Sequence, residues 1–149
     1  MKIWKPVMVL IIPFSILLAS THCRSETAIQ IDVKTILASQ EKGAIDPQLR
    51  GLTQELQTVF RYSSYSLLSR AGLSLDGNNR GVISLPENRT MRIVSRGVND
   101  DRVTLELEIL KDKRQIFKTV IRLRNRSSIT IGGPEYRGGN LLFNISASF

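Results

Sequence analysis

Histidine and cysteine are almost missing from this chain. Each occurs once, and the two stand side by side as His22-Cys23. Aromatic residues are sparse too: after residue 25 there are only Phe60, Tyr62, Tyr65, Phe117, Tyr136, Phe143 and Phe149. The longest apolar run, Val7–Leu18, falls well short of the roughly 20 residues a membrane-spanning helix needs. Each scarcity excludes something. If His22 and Cys23 are lost on maturation, ordinary zinc and copper sites are excluded. So are disulfides and nucleophile systems that lean on a histidine. Scarce aromatics leave no stacking platform for single-stranded nucleic acid.

The maturation is read from the first 25 residues. Lys2 and Lys5 precede Val7–Leu18, and Ala19-Ser20-Thr21-His22-Cys23-Arg24-Ser25 follows. A basic start, an apolar centre and a short polar end make a secretory signal peptide. Cleavage is expected after Cys23 or Ser25, leaving residues 26–149 as a single β-rich domain, large enough for its own core. Losing Lys2, Lys5 and Arg24 takes the formal charge from +8 to +5. His22 stands where a small residue should precede a lipidated cysteine, which argues against an anchor at Cys23. The chain is expected to be exported, to a periplasm or beyond. Its lysine-rich start suits a bacterium.

Ile29, Ile31 and Val33 alternate with polar residues, which predicts a strand with one buried face. Residues 39–45 read as a loop. Asp46-Pro47 then opens a helix, with a side-chain cap followed by proline at the first helical position. Leu49, Leu52, Leu56, Val59 and Phe60 place one apolar stripe on it up to about residue 60. Arg61–Leu75 reads as one broken strand, and Asp76–Gly81 as a turn cluster. Val82–Leu85, Thr90–Val94, Val103–Leu110, Ile116–Arg124, Ile129–Ile131 and Leu141–Ala147 read as further strands. The expected fold is α+β: mainly antiparallel sheet, sandwich-like, with one amphipathic helix near the mature N-terminus.

The hairpin of residues 103–110 and 116–124 has a register that parity decides. Keeping both apolar sets on one face needs paired numbers with an even sum. Pairing Ile109 with Phe117, Leu107 with Thr119 and Leu105 with Ile121 leaves a three-residue loop, Asp112-Lys113-Arg114. The other face then carries Glu106 and Glu108 against Lys118 and Arg122.

Lys118, Arg122, Arg124 and Arg126, with Arg92 and Arg96 nearby, make a candidate face for an anionic partner. The competing reading is a solvated sheet face partly neutralised by Glu106 and Glu108. Gly132-Gly133-Pro134 and Gly138-Gly139 read as a wide hairpin loop, Gly132–Asn140, since no helix follows to make a phosphate cradle. Tyr62-Ser63-Ser64-Tyr65 has two tyrosines that strand parity sends to opposite sides. Asp100-Asp101 suits a turn better than an acid/base pair. The alternation from Leu141 to Phe149 is similar to the closing strand of outer-membrane barrels but departs from it at Ala147, where an aromatic is usual, and a last core strand explains the same alternation. Sequons stand at Asn88, Asn125 and Asn144; Asn144 falls in a core-adjacent strand, a poor acceptor position.

Ile29–Leu37, Ile45-Asp46-Pro47-Gln48-Leu49, Phe60–Tyr65, Val82–Pro86 and Ile131–Pro134 together resemble a group of short exported bacterial proteins of uncharacterised activity. Val120–Gly133 also resembles the strand–turn–strand of secretins, with Asn125-Arg126-Ser127-Ser128 in place of their turn. The expectation is an exported, non-catalytic protein-interaction module of an envelope assembly or secretion system. The alternative is a polyanion- or glycan-binding module that uses the basic face. A carboxylate enzyme and a small outer-membrane barrel have less support. No cofactor or metal and no nucleic-acid partner are expected. The expected partner is another envelope protein, with an anionic glycan as the alternative.

Overall fold

A computed structural model describes residues 28–76 and 79–149. The signal-peptide reading, with His22, Cys23 and both cleavage points, lies outside the described residues, as do Gly77 and Asn78 of the turn cluster. Strands β1 (Ile29–Ser39) and β2 (Ser64–Leu75) flank a helical segment. This begins as a 3-10 turn, Pro47–Leu52, and continues as α1 (Thr53–Phe60). Then come β3 (Arg80–Leu85), β4 (Arg89–Asn99), β5 (Arg102–Lys111), β6 (Arg114–Arg124), β7 (Ser127–Tyr136) and β8 (Gly139–Ser148). They form two four-stranded sheets, ordered β2-β1-β8-β7 and β3-β4-β5-β6, with every pairing antiparallel. The fold is α+β and sandwich-like, as the strand periodicity predicts.

The core is where the two alternating apolar sets meet. Ile31, Val33, Phe143 and Ile145 of the first sheet pack with Met91, Ile93, Leu105 and Leu107 of the second. Burying each such side chain contributes about 1.5–3 kcal/mol. The Leu141–Ala147 alternation thus belongs to an inner strand whose apolar side chains face the interior. Asn144, on the opposite parity, is buried as well, and its Nδ2 donates to Thr130 Oγ1 at 3.0 Å.

Tight turns set the registers. Glu87-Asn88 (φ 59° and 53°), Asp100-Asp101 (48° and 58°), Asp112-Lys113 (49° and 65°) and Arg137-Gly138 (45° and 73°) each have two successive positive φ angles. Two-residue turns of this hand match the twist of the strands they join. Asp100-Asp101 is therefore a turn, as its composition suggests. The pairs Ile109–Phe117, Leu107–Thr119 and Leu105–Ile121 are all present. The expected three-residue loop is not. The turn is Asp112-Lys113 alone, and the extra residue is taken up as a bulge at Ile116. The wide loop expected over Gly132–Asn140 is likewise absent, because β7 and β8 run to either side of Arg137-Gly138. Gly133 has another role: a Cβ there would collide with the Phe143 ring.

A bulge also explains why residues 61–75 look like a broken strand. The β1–β2 register slips at Leu68, between Ser69 opposite Thr35 and Leu67 opposite Ile36. One extra residue inverts side-chain parity. Ala71 and Leu73 pack toward the inter-sheet core, whereas Tyr65 and Leu67 turn to the other face. There, with Ile36, Ala38 and Leu142, they meet Leu49 and Leu56 of the helical segment. Asp46 caps that segment as expected, its Oδ1 accepting from Gln48 N at 2.9 Å. The predicted stripe fails at Val59, which is 62% exposed. The face turned to the first sheet is shared by Leu49, Leu52, Leu56 and Phe60.

Candidate interaction surface

The outer face of the second sheet carries the predicted basic residues. Inward parity is taken by Met91, Ile93, Leu105, Leu107, Ile121 and Leu123, so the alternate residues face outward. The register stacks Arg92, Glu108 and Lys118 in one row and Val94, Glu106 and Val120 in the next. Thr104 lies opposite Arg122, and Arg102 opposite Arg124.

Two carboxylates organise the middle of this face. Glu106 receives Lys118 Nζ at 2.7 Å and Arg96 Nη2 at 2.6 Å. Glu108 receives Arg92 Nη1 at 3.0 Å and the same Lys118 Nζ at 3.1 Å. Hydrogen bonds first from Lys118 and then from Arg96 lower the Glu106 pKa from 4.5 to about 2. The bonds to Glu106 and then Glu108 raise that of Lys118 above 10.5. Lys118, one of the candidates for the anionic-partner face, is shared between two acids of its own sheet, the arrangement that the competing reading of a partly neutralised face describes. The register that pairs Ile109 with Phe117 also sets Glu108 opposite Lys118, with Glu106 diagonal to it.

Beyond Glu106 the charge is unbalanced. Among the described residues Arg102, Arg122 and Arg124 make no ion pair. All three are exposed. Arg102 and Arg122 line a depression of about 450 Å³ with Asn99, Asp100 and Thr104. Asp100 stands at its rim but comes within ion-pair distance of neither arginine. Arg102 was missed in the sequence because it adjoins an acidic turn. The signal was there: the pairing that sets Leu105 against Ile121, carried to the end of the strand, sets Arg102 against Arg124.

Arg126 does not belong to this face. It sits in the turn between β6 and β7 at φ 59°, where the chain crosses from the second sheet to the first. It lines a separate hollow with Gln30, Asp32, Ser128 and Ser146 on the outside of the first sheet. The segment Val120–Gly133 is thus the end of one sheet, a crossing turn and an edge of the other. Asn125 secures the crossing: its Nδ2 donates to the Phe149 carbonyl, and its Oδ1 accepts from Phe149 N at 3.0 Å.

The tyrosines do not point apart as parity predicts. Tyr62 precedes the strand, so strand alternation does not govern it. Both rings lie on the helix side, 6.3 Å apart and edge to face. Tyr65 is fully buried, its hydroxyl donating to Leu56 O at 2.8 Å and accepting from Tyr62 N at 3.1 Å. Tyr62 gives its hydroxyl to Asn140 Oδ1 at 2.9 Å. These are structural bonds that tie the helical segment to the first sheet. Arg89 is also turned inward and gives Nη2 to Glu87 at 3.1 Å, while its Nε and Nη1 have no partner among the described residues.

Comparison with protein-family models, with curated proteins and with solved structures gave no match.

Proposed function

We propose that this chain is an exported, non-catalytic interaction module of a bacterial envelope, and that it binds an acidic partner protein through the outer face of the second sheet. One observation carries the reading: Arg102 and Arg124 stand directly opposite each other on adjacent strands, with Arg122 beside them, and among the described residues no carboxylate pairs with any of the three. Like charges placed opposite across a strand pair destabilise a sheet by a few tenths of a kcal/mol or more. A solvated face has no need of that arrangement, and a docked anion relieves it. The carboxylates support a binding role over catalysis. Glu106 and Glu108 are each held by two cations, and a carboxyl kept near a pKa of 2 is a poor proton carrier at neutral pH.

The depression favours a second reading. Asn99 and Thr104 beside Arg102 and Arg122 offer polar groups next to charge, as a sulfated or uronic glycan would use. Titration calorimetry with polyglutamate and with a sulfated glycan separates the two. Polyglutamate should bind the native chain, weaken as salt rises, and lose its affinity for the R122E/R124E variant. Binding of the glycan alone would transfer the site to the second reading. Indifference to both ligands at low salt would sink the proposal.

A further inference from the structure

We infer that the acidic partner adds a strand to the open edge of β6, and that its recognised segment is extended, with acidic side chains alternating with apolar ones. The inference rests on the reading of this face as an acidic-partner surface and specifies how the partner sits on it.

Among the described residues, strands β2, β7, β3 and β6 each have a neighbour on one side only. An open edge offers unpaired backbone groups to another chain, and proteins guard such edges by shortening them or breaking them. Three of these edges are guarded. The β2 edge is broken by the bulge at Leu68. The β7 edge is broken between Gly132 and Glu135, where Pro134 also removes a backbone donor. The β3 strand has six residues. On β6 the bulge at Ile116 is confined to the turn end, and pairing runs unbroken from Phe117 to Arg124.

What guards β6 is its charge, and that charge is selective. A second copy pairing with it antiparallel must keep apolar side chains on the core side, so paired numbers must have an even sum. Every such register sets even-numbered residues against even-numbered ones. Centred on Val120, for example, it sets Lys118 against Arg122. Self-pairing therefore stacks cation on cation, which opposes it. A strand carrying Glu or Asp at alternate positions meets the opposite situation. Its acids face Arg122 and Arg124, and its apolar residues continue the side of Phe117, Thr119 and Ile121. Val120, 55% exposed between the cations, gives the added strand an apolar contact on the outer face. Backbone bonds then supply affinity, and the alternating side chains supply specificity.

The test uses a capped peptide of alternating glutamate and valine, as long as Phe117–Arg124, with the chain as secreted. Three measurements are made: peptide affinity, the affinity of the same peptide with alternate backbone nitrogens methylated in either phase, and amide exchange along β6. The inference expects binding, a loss of at least about tenfold in one methylated phase, and slowed exchange in Phe117–Arg124. Equal affinity for the methylated peptides would overturn strand addition and leave the acidic-face reading standing. So would binding of polyglutamate without binding of the alternating peptide. Failure of both acidic ligands would remove the underlying reading as well. Sedimentation of the chain alone covers the remaining occupant: a dimer whose β6 amides are already protected would overturn the inference.

Discussion

Arg124 is where stability and binding should move in opposite directions. Its partner across the strand pair is Arg102, and Arg122 lies two residues away on the same face. Opposed side chains start from Cβ atoms about 5 Å apart, and flexible guanidiniums spread somewhat further. Two like charges about 6 Å apart in water-like surroundings repel by about 0.7 kcal/mol, and a Debye length of about 8 Å at physiological salt roughly halves this. Reversing one sign converts repulsion into attraction. Arg124→Glu should therefore stabilise the unliganded domain by about 0.5–1 kcal/mol at physiological salt, and by more at low salt. For a domain of this size that raises the thermal midpoint by about 2–5 °C. Asp100 at the rim of the depression subtracts from the gain, so Arg124→Gln, which adds no carboxylate, is the cleaner control and should gain about half as much. Thermal unfolding followed by circular dichroism at low and high salt measures both effects. The native midpoint should rise with salt, and the variants should rise less. Binding of acidic ligand should fall in both variants. A variant that gains nothing at low salt would mean that the arginines already avoid one another. The face would then be an ordinary solvated surface.

Other perturbations test other parts of the account. Leu105→Asp puts a carboxylate into the fully buried centre of the core; at a cost above about 4 kcal/mol it should unfold the domain, and an unchanged denaturation midpoint would mean a misassigned core face. Tyr65→Phe keeps the ring but loses the bonds to Leu56 O and Tyr62 N; a loss of about 1–3 kcal/mol is expected in chemical denaturation, with amides of residues 53–62 exchanging faster than the rest. Glu106 has its folded pKa lowered, so its contribution is complete above about pH 4.5 and drains away as pH falls toward 2. Glu106→Gln should flatten the fall in stability over that interval, and a slope equal to the native one would contradict the pairing with Lys118 and Arg96. For export, N-terminal sequencing of secreted protein should begin at Arg24 or Glu26; retention of Met1 would remove the argument.

How far the sequence reached depends on the range of the interaction that decides each feature. Alternation in β5 and β6 is local, and the requirement that two apolar sets share a face fixed their pairing through to Arg102 and Arg124. Bulges are not local in that sense. Leu68 differs little from its neighbour Leu67, yet it is the residue where parity inverts, because the first sheet must serve two layers at once. Ile31 and Val33 need the inter-sheet core beneath them, while Ile36 and Ala38 need the helical segment above them. β8 serves both layers without slipping, because Leu142 has the opposite parity to Phe143 and Ile145. β2 must slip because Tyr65 and Leu67 of the helical layer share parity with Ala71 and Leu73 of the core. The same distinction of range governs the candidate site. Facing outward was legible for Lys118, Arg122 and Arg124 alike, since it follows from period two. Being spoken for was not legible, because it depends on a third strand. Arg92 and Arg96 come from β4, and with Lys118 they saturate Glu106 and Glu108 before Arg122 or Arg124 can reach them. The unpaired charge thus gathers at the end of β6 beyond Glu106, where Asp100 at the adjoining turn makes no ion pair with it among the described residues. That leaves the edge of β6 with cations that its own sheet does not neutralise, which is the condition a partner strand of opposite charge would meet.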